Sequence, residues 1–194
     1  MKIVPFQDFI QRYYSGEEFV VFDTETTGLN TYHDDIIEVA GAIWQKDGEI
    51  KTFEELVWTN PRKVTGEAQA IHGISVEEVE KARKPEEVFG EFVEFCENRP
   101  LVAHNIRFDF PMLNSNLIRS GLKPYPNEEV MCSYIYAKEQ MLPGKLIDLA
   151  SHYKVKTDSD NLHRAMYDVN VLMEILNKVM KENEPDDMQY SLIL

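Results

Sequence analysis

The sequence predicts an α/β fold, a mixed β-sheet flanked by α-helices, on three observations. A dense β-branched and aromatic run at Glu18–Asp23 reads as a buried strand. Two further strand-like runs, Ile36–Gln45 and Glu49–Trp58, flank the hairpin signal Lys46-Asp47-Gly48. Segments of helical period then surround a short apolar run at Leu101–Ala103. The resulting order, β-β-β-α-β-α and further helices, suits a mixed sheet with helices packed against it.

Taken in order, the N-terminal segment Met1–Tyr14 reads as a short amphipathic helix, because Phe6, Phe9, Ile10 and Tyr13 recur at helical spacing. Asp8 and Arg12 interrupt any apolar run, so it does not read as a signal peptide. The three strand runs suggest an antiparallel meander. From Pro85 to Asn98, Val88, Phe89, Phe92, Val93 and Cys96 form an apolar helical stripe, and Pro85 suits a first turn. After the strand at Leu101–Ala103, a helix is expected from Phe108 to Ser120, stopped by Gly121. Glu128–Gln140 and Lys145–Tyr153 read as weaker helices. The last helix runs from His163, or a little later, to Lys181, with Val169, Leu172, Met173, Leu176 and Val179 on one side.

With 194 residues, the chain is expected to form one domain over 1–194. Its core would span 19–180, with a helical extension at 1–17 and a C-terminal tail at 182–194. The tail holds an acidic, proline-containing run, Glu182–Asp187, expected to fray. The apolar end Tyr190–Leu194 is available for docking on the core or on a partner. No stretch approaches the roughly 20 apolar residues of a membrane span. Cys96 and Cys132 are too few for a disulfide framework, so both are expected reduced, in keeping with a cytoplasmic protein.

A net charge of −14 excludes a broad basic surface for nucleic acid. It leaves open a site in which divalent cations supply the positive charge, so the carboxylate positions become decisive. Asp23 and Glu25, in Phe22-Asp23-Thr24-Glu25-Thr26-Thr27-Gly28, point to the same face at the end of the first strand. Two buried carboxylates there cost free energy unless a cation compensates, and Gly28 allows a sharp turn. Asp109 follows Ala103-His104-Asn105-Ile106-Arg107-Phe108, where a strand passes into a helix, although capping alone could explain it. His163 and Asp168 are five residues apart. On one helix they would diverge by about 140°, so they converge only if His163 lies in the loop before the helix and Asp168 in its second turn. Of the other histidines, His33 and His152 read as surface residues and His104 as a residue that shapes the site.

Together these segments resemble the DnaQ-like, or DEDDh, 3′–5′ exonuclease family, which includes the proofreading epsilon subunit of bacterial DNA polymerase III. The resemblance spans Phe19–Met180 and includes Phe22–Leu29, Ile71-His72-Gly73-Ile74, Ala103–Asp109 and His163–Asp168. It implies a ribonuclease H-like fold, with Asp23, Glu25, Asp109 and Asp168 holding two divalent cations, Mg²⁺ or Mn²⁺. It implies His163 as general base, and Thr26, Ile71 and His72 as contacts to the terminal nucleotide. The implied partners are single-stranded or frayed 3′ ends of DNA and a polymerase, with no membrane. RNA ends are the alternative substrate, and a non-catalytic accessory module is the alternative of another class. Where many members carry Asp-Thr, this chain has Cys132-Ser133, read as a packing change outside the metal site.

Overall fold

The computed structural model describes residues 1–158 and 163–185. One six-stranded sheet organises them: β1 (Lys2–Ile3), β2 (Phe19–Thr26), β3 (Ile36–Trp44), β4 (Thr52–Leu56), β5 (Leu101–Ala103) and β6 (Glu129–Cys132), in the spatial order β1-β6-β5-β2-β3-β4. The expected meander is present, with β2-β3 and β3-β4 antiparallel. The other pairings, β1-β6, β5-β6 and β2-β5, are parallel.

The side chains of β2 alternate between two cores. Val20 and Phe22 face α4 (Pro85–Cys96) and α5 (Ile106–Arg119), whereas Phe19 and Val21 face α1 (Phe6–Tyr14) and α8 (Ala165–Glu182). Strict alternation therefore puts Asp23 and Glu25 on the α8 side of the sheet. On the same face of β3, Ala40 and Ala42 carry small side chains beneath α8. Among the described residues, short helices that the sequence left unassigned or weak add to these layers. They are α2 (Gly66–His72), α3 (Val76–Lys81) and α7 (Leu146–His152). Among the described residues, no helix is long and apolar enough to cross a membrane.

Several expectations need correction. The N-terminus is not purely helical, because Lys2–Ile3 adds an edge strand by pairing with Glu129 and Val130. The segment expected as one helix over Glu128–Gln140 is β6 followed by α6 (Ser133–Glu139). Its apolar residues Val130, Met131 and Cys132 are all buried in the sheet, and a continuous run of three carries no period that separates strand from helix. Helix α5 begins at Ile106 rather than Phe108 and carries Pro111 in its second turn. The docking end Tyr190–Leu194, and Asp186 and Asp187 of the acidic run, lie outside the described residues.

Candidate active site

The parallel strands β2 and β5 end at the same edge of the sheet, and the candidate residues gather there. Asp23, Glu25, Asp109, His163 and Asp168 all line one cavity of about 950 Å³. Each arrives by a different route. Asp23 and Glu25 come from the C-terminal end of β2, where a register shift between Glu25 and Thr26 marks a bulge that re-aims the strand end. Asp109 comes from the first turn of α5, immediately beyond β5. It is no cap: its Oδ1 accepts a 3.1 Å hydrogen bond from the hydroxyl of Thr24, on β2.

His163 precedes α8 in a left-handed conformation, φ 64°, which is uncommon for a residue with a side chain. Asp168 sits in the first turn of α8, not the second. The loop placement of His163 is thus the expected one, and it brings the two side chains together. Glu25, His163 and Asp168 offer ligand atoms all within 4.8 Å of one another.

The electrostatics are dominated by burial and by mutual repulsion of the carboxylates, which outweigh the nearby charge of Arg164 at Glu25. Burial, and then the neighbouring carboxylates Asp109, Glu25 and Asp168, raise the Asp23 carboxyl well above the usual range. Burial and the charges of Asp168 and Glu38 push Glu25 up to about 9. Burial takes Asp109 to about 7 against the opposing Thr24 hydrogen bond. Asp168 rises to about 6, again through burial, with His163 opposing. Its Oδ1 is buried with no hydrogen-bond partner among the described residues. Clustered hard oxygens, mutual repulsion and an orphaned carboxylate oxygen are together what a divalent cation relieves, so the residues fit such ions.

A second cavity, about 570 Å³, adjoins the first and shares Thr24, Glu25 and Phe108 with it. Thr26, Ile71 and His72 line it. The Thr26 hydroxyl donates to the Gly28 carbonyl at 2.8 Å, so it also braces the turn. Gly28 is needed there for space rather than for a left-handed backbone, because a Cβ would stand 2.5 Å from Asp34 Oδ2. Ile71 is exposed, whereas His72 is buried. His72 Nδ1 accepts from the Ile74 N–H at 3.0 Å, so Nε2 carries the proton, and that atom has no partner among the described residues. Burial holds the His72 imidazole below its ordinary pKa.

Two further polar residues gain their partners in three dimensions. His104 lines the first cavity and spans it from Ser133 Oγ, 2.9 Å from Nδ1, to the Gly144 carbonyl, 2.8 Å from Nε2. Ser133 is therefore a polar support of the cavity wall rather than a mere packing change. Glu38 is 1% exposed within the otherwise apolar β3. That lone charge in an apolar strand was a signal available in the sequence.

A mixed sheet of this order gathers carboxylates from one strand end and two helix starts around one cavity, the arrangement of a ribonuclease H-like fold. Residues 20–176 match the model of the RNase_T family, described as exonuclease, and the chain belongs to that family. The DNA polymerase III PolC-type protein of Clostridium perfringens is 36% identical over 176 residues, 86% of this chain and 12% of the relative. That of Streptococcus pneumoniae is 33% identical over 172 residues, 87% of this chain and 11% of the relative. The chain thus spans about a tenth of the length of these curated relatives. Among solved structures, E. coli exonuclease I in complex with a dT13 oligonucleotide superimposes with TM-score 0.74 at 17% identity, covering 90% of this chain and 43% of that one. The nuclease domain of 3′hExo, a DEDDh family member bound to rAMP, gives 0.73 at 16% identity, covering 87% and 94%.

Proposed function

We propose that this chain is a 3′–5′ exonuclease that releases nucleoside 5′-monophosphates from single-stranded or frayed DNA ends. The observation that carries this reading is the single cavity lined by Asp23, Glu25, Asp109, His163 and Asp168. The four carboxylates would hold two divalent cations, Mg²⁺ or Mn²⁺. When bound, such cations polarise the attacking water and stabilise charge on the departing 3′-oxygen.

The remaining chemistry belongs to the protein. His163 is exposed and sits beside Glu25 and Asp168, where an imidazole can take the proton of the attacking water. The water oxygen bonds to phosphorus, the bond from phosphorus to the 3′-oxygen breaks, and that oxygen collects a proton from solvent. Thr26, Ile71 and His72 line the adjoining cavity, which would receive the terminal nucleotide, with His72 Nε2–H as a ready donor.

DNA as substrate, and proofreading or repair beside a polymerase as the setting, are favoured by the PolC-type relatives and by the exonuclease crystallised with dT13. Two free, buried cysteines suit a cytoplasmic location. The test is digestion of labelled single-stranded DNA, mismatched duplex and short RNA, with Mn²⁺, with Mg²⁺ and with a chelator. The reading expects metal-dependent mononucleotide release from DNA 3′ ends. A strong RNA preference would replace it with an exoribonuclease, as the rAMP-bound neighbour suggests.

A further inference from the structure

The geometry points to Glu38 and Arg164 as a clamp that positions His163, and this inference rests on the reading of His163 as the general base. Glu38 is a carboxylate with 1% exposure in the middle of the sheet, and a charge so placed is not tolerated without full compensation. Both of its oxygens are used. Arg164 Nη2 donates to Oε1 at 2.6 Å, and Nε reaches Oε1 and Oε2 at 3.1 and 3.2 Å. Oε2 also accepts the backbone N–H of Ala165 at 2.9 Å.

All these bonds end on the two residues that follow His163 in the chain. The N-cap position of α8, Arg164 itself, makes no side-chain capping bond. A carboxylate from a different element supplies the cap instead. The planar guanidinium, held by three donor contacts, fixes an orientation as well as a distance. His163 directly precedes this anchor with φ 64°, a backbone state that persists only where its surroundings impose it. The rigid β3 therefore sets the place of the His163 turn and of the first turn of α8. The Arg164 side chain is 43% exposed, so a direct contact with substrate phosphate is the rival role.

Two substitutions separate these roles, Arg164→Ala in the full chain and Glu38→Gln, which keeps an oxygen for the Ala165 N–H while removing the ion pair. Steady-state cleavage of single-stranded DNA with Mn²⁺ gives kcat and KM, and thermal melting reports folding. The clamp predicts that Arg164→Ala lowers kcat on the order of 10- to 100-fold with KM changed less than about 3-fold, as expected for a displaced catalytic group. Glu38→Gln should show the same split, so the test survives a poorly folding Arg164→Ala. Added guanidinium should restore part of the Arg164→Ala rate. On a His163→Ala background, Arg164→Ala should cost less than about 2-fold, because its effect runs through the missing imidazole. A folded Arg164→Ala with unchanged kcat, a multiplicative loss on the His163→Ala background, or a KM effect alone would overturn the clamp. A wild-type chain without nuclease activity would instead overturn the reading of the site, and the clamp with it.

Discussion

Glu25 and Glu38 are direct cross-strand partners in the β2–β3 ladder, two carboxylates facing the same side of the sheet. Like charges so placed repel. Glu38 is neutralised inside the protein by Arg164, whereas Glu25 is left to the cluster and its carboxyl is pushed up to about 9. On the proposed reading, cations would displace the protons that these raised pKa values favour in the metal-free cavity.

Metal binding should accordingly release protons. With Asp168 at about 6, Asp109 at about 7 and Glu25 at about 9, the metal-free carboxyls are partly protonated at neutral pH. Ligation needs the charged forms, so Mn²⁺ affinity should rise with pH between 6 and 9. Calorimetry in buffers of different ionisation enthalpy measures the protons released. A buffer-independent heat, with constant affinity across that window, would contradict the assignment.

The same shifts set the stability of the metal-free protein. Each of these carboxyls has a folded pKa above its unfolded value near 4, so the folded state binds the extra protons. Their contribution is complete below about pH 4 and is lost as pH rises through the folded values, from about 6 to about 9. Metal-free melting temperature should therefore fall between pH 5.5 and pH 9. Glu25→Gln, which folds without having to take up a proton, should raise it at pH 8, and Mn²⁺ should shrink that gain. Differential scanning calorimetry checks both signs.

Loss of a carboxylate should separate folding from turnover. Asp23→Asn and Asp168→Asn preserve shape and should lower cleavage at least on the order of 1,000-fold without lowering the metal-free melting temperature. Near-wild-type turnover in either variant would exclude that residue from the metal set.

The two site histidines should divide along kcat and KM. His163→Ala should lower kcat on the order of 100- to 10,000-fold, the usual loss for a general base. His72→Ala removes an imidazole from the lining of the adjoining cavity, so it should raise KM up to about 10-fold with a smaller change in kcat. Because the His72 imidazole is held neutral by burial, its KM effect should vary little from pH 7 to pH 8. Equal kcat losses in both variants would reject this division.

The sequence by itself indicated the fold class, the meander, helices over Pro85–Asn98 and from about His163 to Lys181, found at Pro85–Cys96 and Ala165–Glu182, and the candidate residues. Those features are local, since strand alternation, helical period and a glycine-bounded acidic motif are each written in consecutive residues. The edge strand Lys2–Ile3 and the split of β6 from α6 were not legible, because pairing with Glu129 and Val130 depends on a segment more than a hundred residues away. Tertiary structure alone decided that Thr24 holds Asp109, that Ser133 and Gly144 brace His104, and that Glu38 grips the turn after His163. These contacts join residues 29 to 126 positions apart. A buried polar side chain declares that it needs a partner, but only the folded chain brings that partner within reach.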